Sequence, residues 1–186
     1  MPQNLKGLKV LFLVAPSGAP DDEIARPKRI LEAGGAEVSF ASLTAGPVTT
    51  QGGSSIEAAA IVELRPTDFA GAIVPGGAGA VDLAANGIAL KFVRMVAHDG
   101  KPVGALSLGV VFLAKAELLQ GKTATTWVTP DALRALKDGG ARFEKKPVVV
   151  SGGIVTCDGA GSAESFGNIY AEILDGSRTR SGRITR

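Results

Sequence analysis

The sequence is poor in the residues that form covalent cross-links and transition-metal sites. Its 186 residues include one cysteine and one histidine. A single cysteine excludes a disulfide within the chain and is typical of a reducing compartment, so we expect a cytoplasmic protein. The common zinc patterns require three or four cysteine or histidine ligands and are excluded as well. We therefore expect no metal and no cofactor.

Excess charge and long apolar runs are also scarce. The net charge of +2 predicts no general affinity for nucleic acid. Residues 1–7 are polar and the apolar run 8–15 is too short to cross a bilayer, so we expect neither a signal peptide nor a membrane span. Basic residues gather at the end of the chain without interleaved aromatics, which indicates a solvated tail. The predicted organisation is a single domain over residues 1–176 and a basic tail over 177–186.

Strand-like and helix-like segments alternate along the chain. The pattern predicts strands at 9–15, 37–42, 70–74, 102–106 and 122–127, with a hairpin of 147–150 and 154–157. It predicts helices at 24–32, 88–98, 130–137 and 162–174 and a helix ending at 119. The Thr-, Ser- and Gly-rich stretch 48–64 is compatible with a small β-excursion. This alternation predicts an α/β fold, with a mainly parallel sheet and helices on both faces.

In such a sheet, ligands bind outside the carboxyl ends of the strands. Four candidate groups directly follow predicted strands and so are expected at that edge: Glu23, Gly76-Gly77, Ser107-Leu108 and Cys157-Asp158. His98 ends a helix and precedes a strand, which predicts a position at the opposite edge. The favourable helix dipole accounts for a histidine there.

Ser107 lies between a buried strand and a helix and is followed by Gly109. This order is typical of a nucleophile elbow, although Ala105 stands where Gly-x-Ser-x-Gly has its first glycine. Backbone N–H groups after such a turn face a bound anion, and Gly76-Gly77 would bring further N–H groups close. A simple helix N-cap at Ser107 is the alternative interpretation.

Five segments together carry a family resemblance. They are KVLFLVAPSGAPDDEIARP, ILEAGGAEVSFASL, DFAGAIVPGGAGA, GKPVGALSLGVVFLAKAELLQGKTATTW and GGIVTCDGAGSAESFGNIYAEIL. Their combination resembles the ThiJ/PfpI superfamily (the DJ-one family), with its class I glutamine-amidotransferase-like fold, over nearly the whole chain. The resemblance implies a flavodoxin-like three-layer sandwich and commonly a homodimer.

The resemblance also implies roles for particular residues. Glu23 corresponds to the family's acid, and Ser107 stands where the family has its nucleophilic cysteine, which marks an atypical member. The amides of Gly77 and Leu108 correspond to the oxyanion donors. Two positions where relatives carry a histidine hold Leu108 and Trp127 instead.

The remaining pocket residues expected at this edge are Gly76, Trp127 and Cys157. Trp127 is expected to wall the pocket and to stack on a flat or apolar substrate. Two interpretations of Cys157 compete: it is a nucleophile relocated from position 107, or a small residue at an apolar position. The apolar position is favoured because Asp158 would raise the thiol pKa and no histidine is near.

Three functions remain open. The first is an enzyme, a hydratase, lyase or hydrolase, that acts on a small carbonyl, acyl or isocyanide-type metabolite with Glu23 as acid/base beside Ser107. The second is a catalytically silent relative that binds a small molecule or has a regulatory role. The third is a Cys-to-Ser variant of a cysteine-dependent glyoxalase, deglycase or hydratase. A protease is least supported, since neither a thiol at the elbow nor a histidine is in place.

Overall fold

The computed structural model describes residues 3–181, with side chains through residue 177. Within this part the strands are β1 (Lys9–Leu13), β2 (Ser17–Ala19), β3 (Glu37–Ser42), β4 (Gly46–Thr50), β5 (Ser55–Ala60), β6 (Gly71–Val74), β7 (Val103–Leu106), β8 (Thr123–Ala124), β9 (Arg142–Phe143), β10 (Val148–Ser151) and β11 (Ile154–Cys157). The helices are α1 (Asp21–Ala33), α2 (Ala78–Leu83), α3 (Gly87–His98), α4 (Gly109–Lys115), α5 (Pro130–Asp138) and α6 (Ala163–Ser181).

Nine of these strands form one sheet in the order β10-β11-β7-β6-β1-β3-β5-β4-β2. Neighbouring strands from β11 to β5 are parallel, while β10 and β4 each pair antiparallel with one neighbour. Strand β1 lies in the middle because its apolar residues from Val10 to Leu13 are buried on both faces. The predicted α/β class and mainly parallel sheet are confirmed.

Helices cover both faces of the sheet and make it the middle of three layers. Alternate residues of β1 point to opposite sides, as the pleat requires. Leu11 packs in a core with Phe92 of α3 and Phe112 of α4. Phe12 packs in a second core with Leu31 of α1 and Tyr170 of α6. The flavodoxin-like sandwich is confirmed.

The structure differs from the predicted elements in several places. The strand predicted at 122–127 is reduced to β8, which pairs with β9 in a separate two-stranded sheet. It cannot join the main sheet beside β7, because β11 already occupies that edge in parallel register from Ile154↔Val103 to Cys157↔Leu106. The β-excursion of 48–64 is the antiparallel β4–β5 pair. The pattern did not predict α2.

The final helix is longer than predicted. Helix α6 runs to Ser181 rather than to residue 174, so the expected domain boundary at 177 falls inside it. The side chains of residues 178–186, on which the prediction of a solvated basic tail rests, lie outside the described residues. No helix in the described part is long and apolar enough to cross a membrane.

Candidate functional site

The candidate site lies where the strand order changes direction. The chain passes from β1 to β3 on one side of β1 and returns to β6 on the other. A crevice forms between the loops at the carboxyl ends of such strands. The loop after β1 leads through β2 into the first turn of α1, which carries Glu23, while Pro75 and Gly76 follow β6. The two loops meet across this crevice.

Glu23 is a buried carboxyl group. Its side chain is 2% exposed, and Oε2 accepts a hydrogen bond of 2.7 Å from the Gly76 amide. Burial raises the pKa of Glu23 to about 7, although the Gly76 amide lowers it in part. The cause is loss of hydration, which disfavours the charged form. Such a carboxyl can donate or accept a proton at neutral pH.

Ser107 occupies a strained turn between β7 and α4. Its φ of 51° is positive, a conformation that only Ser107 and Glu117 adopt among the described non-glycine residues. The end of β11 and the segment after β8 hold this backbone by hydrogen bonds. The Ser107 amide donates to the Cys157 carbonyl at 2.9 Å, and the Thr126 hydroxyl donates to the Ser107 carbonyl at 2.9 Å. Positive φ at a non-glycine residue is uncommon and is often found at functional sites.

Two glycines allow the β6 loop to lie against this turn. A Cβ at Gly76 would lie 2.7 Å from Ser107 Cβ and 2.9 Å from the Leu108 nitrogen. Gly77 has a φ of 88°, and a Cβ there would collide with the Gly18 carbonyl. Within the described residues, no protein acceptor receives the amide of Gly77 or of Leu108. Neither amide is therefore committed to a protein acceptor in the described part of the chain.

Glu23 and Ser107 both contact Gly76 but do not engage each other. No hydrogen bond joins their side chains within the described residues. A serine nucleophile requires an aligned base, and the described residues place no hydrogen-bonded base on the Ser107 hydroxyl. His98 offers no substitute, because it ends α3 just before β7, at the opposite end of the strands, with its side chain 90% exposed. The side chain of Ser107 is nearly enclosed, at 9% exposed.

Cys157 lies beside the Ser107 turn, and its thiol is poorly suited to act as a nucleophile. It is fully buried, and its thiol donates to the Gly159 carbonyl at 3.3 Å. Burial raises the pKa of Cys157 to about 12, and the negative charges of Asp158 and Glu23 add to the rise. A thiol with this pKa carries almost no thiolate at neutral pH. Both the burial and the raised thiol pKa favour the small apolar position over the relocated nucleophile. The described residues contain no group of three side chains suited to a metal ion.

A groove of about 370 Å³ opens next to the elbow. Its walls include Thr126, Trp127, Val128, Phe143, Lys145 and Asp158. Trp127 lines this groove and is 60% exposed. The other two predicted pocket residues, Gly76 and Cys157, are not among the groove residues.

Sequence reasoning did not single out Thr126. The residue is 1% exposed, and its buried hydroxyl donates a hydrogen bond to the Ser107 carbonyl. The sequence does offer a signal, since Thr125-Thr126 ends an otherwise apolar strand-like run directly before Trp127. A buried hydroxyl needs a hydrogen-bond partner, and only the folded structure identifies it as Ser107.

Known proteins match this chain over almost its full length. The sequence profile of the DJ-1/PfpI family matches residues 8–173. An uncharacterized protein of Methanocaldococcus jannaschii is 33% identical over 167 residues, which cover 89% of this chain and 82% of that protein. Deglycase TK1284 of Thermococcus kodakarensis is 29% identical over 168 residues, which cover 90% of this chain and 99% of the deglycase.

A solved structure shares the fold of this chain. The crystal structure of a ThiJ/PfpI domain protein from Brachyspira murdochii superposes with a TM-score of 0.86 and 24% identity. The match covers 92% of this chain and 98% of the Brachyspira chain. With a family match that spans residues 8–173, the chain belongs to the DJ-1/PfpI family.

Proposed function

We propose that this protein is an enzyme that acts on a small carbonyl, acyl or isocyanide-type metabolite, with Glu23 as its general acid and base. The observation that carries the proposal is the buried Glu23 carboxyl, whose pKa is raised to about 7 by burial. A pKa near the working pH is what general acid–base catalysis requires. The Gly76 amide fixes the buried carboxyl by its hydrogen bond to Oε2.

The two available amides supply the second half of the chemistry. For a carbonyl substrate, the Glu23 carboxylate takes a proton from water as the water oxygen bonds to the carbonyl carbon. The electron pair of the C=O bond then moves to the oxygen, where the amides of Gly77 and Leu108 hold the developing charge. Glu23 returns its proton to that oxygen. This sequence is a hydration, and its reverse is the step of a lyase.

Ser107 takes a supporting role in this proposal. The resemblance places it where relatives have a nucleophilic cysteine, but no described base is hydrogen-bonded to its hydroxyl. The hydroxyl instead binds the attacking water or the substrate oxygen. A hydratase or lyase needs no covalent adduct and so is favoured over a hydrolase with a serine nucleophile.

One alternative has its own support. The absence of a hydrogen bond between Ser107 and Glu23 within the described residues, together with the raised thiol pKa of Cys157, also suits a silent relative that binds its ligand without turnover. The name of the Thermococcus relative, a deglycase, supports an enzyme instead. Turnover separates the two functions.

The test is the Glu23→Gln variant, assayed on methylglyoxal, a small ester and an alkyl isocyanide. We expect kcat on the accepted substrate to fall by about 10²–10⁴-fold, because glutamine cannot transfer the proton. In the wild type, kcat/KM should rise with pH through about 7, as Glu23 ionises and becomes the base. The matched control is Glu57→Gln on an exposed position of β5, which should leave the rate unchanged. Equal rates for Glu23→Gln and wild type would remove Glu23 from the mechanism.

A further inference from the structure

The groove beside the elbow is not used by the chemistry proposed above. We propose that it is the subsite for a flat, uncharged, aromatic or conjugated part of the substrate, with Trp127 as the stacking surface. This proposal rests on the proposed function, from which it takes the position of the reacting carbon. The assignment of the groove as a subsite is supported by separate observations of its volume, exposure and charge.

The walls of the groove include one hydrogen-bond partner of Ser107 and the residue next to another. Thr126, which lines the groove, donates its hydroxyl to the Ser107 carbonyl. Asp158, which also lines it, directly follows Cys157, whose carbonyl accepts from the Ser107 amide. A substrate with its reacting carbon at the elbow therefore has the groove beside it for its distal part.

The dimensions of the groove suit a ring rather than a methyl group. An apolar cavity of about 150 Å³ is enough for one benzene molecule. The groove, at about 370 Å³, therefore holds a ring with a linker or substituent. Volumes in this range are usual for ligand pockets in proteins.

Trp127 presents an open face to this space. One side of its indole rests on the loop after β11, where a Cβ at Gly159 would lie 3.4 Å from Trp127 Cε3. The side chain is nevertheless 60% exposed, and its neighbour Val128 is 54% exposed. Phe143 and Pro147 complete the apolar part of the wall. Exposed aromatic and aliphatic groups around a concavity favour an apolar ring as the ligand.

The charges around the groove do not favour an ion. Lys145 and Asp158 both line it and have opposite signs. The ammonium group of Lys146 is paired with the carboxylate of Glu144. No surplus of one sign remains among these residues, so electrostatic attraction selects neither an anion nor a cation, and the ligand part is uncharged.

Binding of unreactive amides tests the subsite without any need for turnover. Trp127 is the only tryptophan of the chain, so its fluorescence reports the groove directly. We expect benzamide to quench it saturably and to bind at least about tenfold more tightly than acetamide. Because Trp127→Ala removes this fluorophore, saturation-transfer NMR measures the affinity of the variants for benzamide. We expect Trp127→Ala to weaken benzamide binding about tenfold.

A control variant and a charged probe complete this test. Ile88→Ala removes an apolar side chain of similar exposure on α3 and should leave benzamide affinity unchanged. Benzoate should bind no more tightly than benzamide. Equal affinities of wild type and Trp127→Ala, equal binding of acetamide and benzamide, or a tenfold preference for benzoate would each overturn the proposal.

Glu23→Gln distinguishes this inference from the proposed function. Glu23 does not line the groove, so the variant should keep its affinity for benzamide while it loses turnover. If instead turnover survives in Glu23→Gln and Trp127 still controls benzamide binding, the proposed chemistry fails and the subsite stands.

Discussion

At the scale of single residues, one peptide group links a buried hydroxyl to the proposed oxyanion site. Thr126 donates to the Ser107 carbonyl, and the other end of the same peptide is the Leu108 amide. A hydrogen bond to a C=O group polarises its peptide and makes the N–H a stronger donor. We therefore expect Thr126 to act as a positioning residue, through the Leu108 amide.

We predict that Thr126→Val lowers kcat about tenfold with little change in KM, because the Leu108 amide becomes a weaker and less well oriented donor. The resonance of the Leu108 amide proton should move upfield in NMR spectra. Thr126→Ser keeps the hydroxyl and should restore both kcat and the resonance. A loss of about 1 kcal/mol in stability with normal kcat would instead make Thr126 merely structural.

At the scale of elements, the site depends on how closely the loops after β6 and β7 approach. Gly76 lies against the Ser107-Leu108 turn, and a Cβ at Gly109 would collide with the Val74 carbonyl. Both contacts involve backbone atoms, which cannot move aside as a flexible side chain can. The sheet brings the two loops together because β6 and β7 are adjacent and parallel.

We predict that Gly76→Ala destabilises the protein by about 1–3 kcal/mol and abolishes turnover, since its Cβ would force the two loops apart. Urea unfolding and the kcat assay measure the two effects. Gly87→Ala is the control, because a Cβ at this first residue of α3 has no neighbour within 4 Å. Its stability should equal or slightly exceed that of the wild type. A fully active Gly76→Ala would contradict the close approach.

At the scale of the whole molecule, the buried Glu23 couples folding to pH. Its pKa is about 7 in the folded protein, against a model-compound value of 4.5. Folding therefore favours the neutral carboxyl. The associated stability is fully present below pH 4.5 and is lost as the pH rises through 7. A separation of this size between the folded and unfolded pKa values corresponds to about 3 kcal/mol as an order of magnitude.

We predict that the Glu23→Gln protein gains stability relative to wild type as the pH rises from 5 to 8, by up to about 3 kcal/mol. Glutamine carries no charge and can still accept a hydrogen bond from the Gly76 amide. The measurement is the free energy of unfolding in urea at several pH values. Parallel pH curves for the two proteins would show that the pKa of Glu23 is not raised in the folded protein.

The sequence by itself determined the architecture and the edge at which the site lies. Alternating apolar strands and helices require a parallel sheet with two covered faces, and parallel strands end at one edge. This local logic placed Glu23, Gly76, Ser107 and Cys157 together, and the structure does bring their loops into contact. The predicted homodimer and cytoplasmic location stay predictions.

Only the tertiary structure decided the chemistry available at that edge. The pKa of Glu23 depends on burial by segments distant in the chain, and the hydrogen bond from Thr126 to Ser107 joins loops that no spacing rule connects. The strand predicted at 122–127 was shortened because β11, formed later in the chain, pairs with β7. Burial and strand neighbours are non-local properties, so local patterns position candidate residues but do not set their environments.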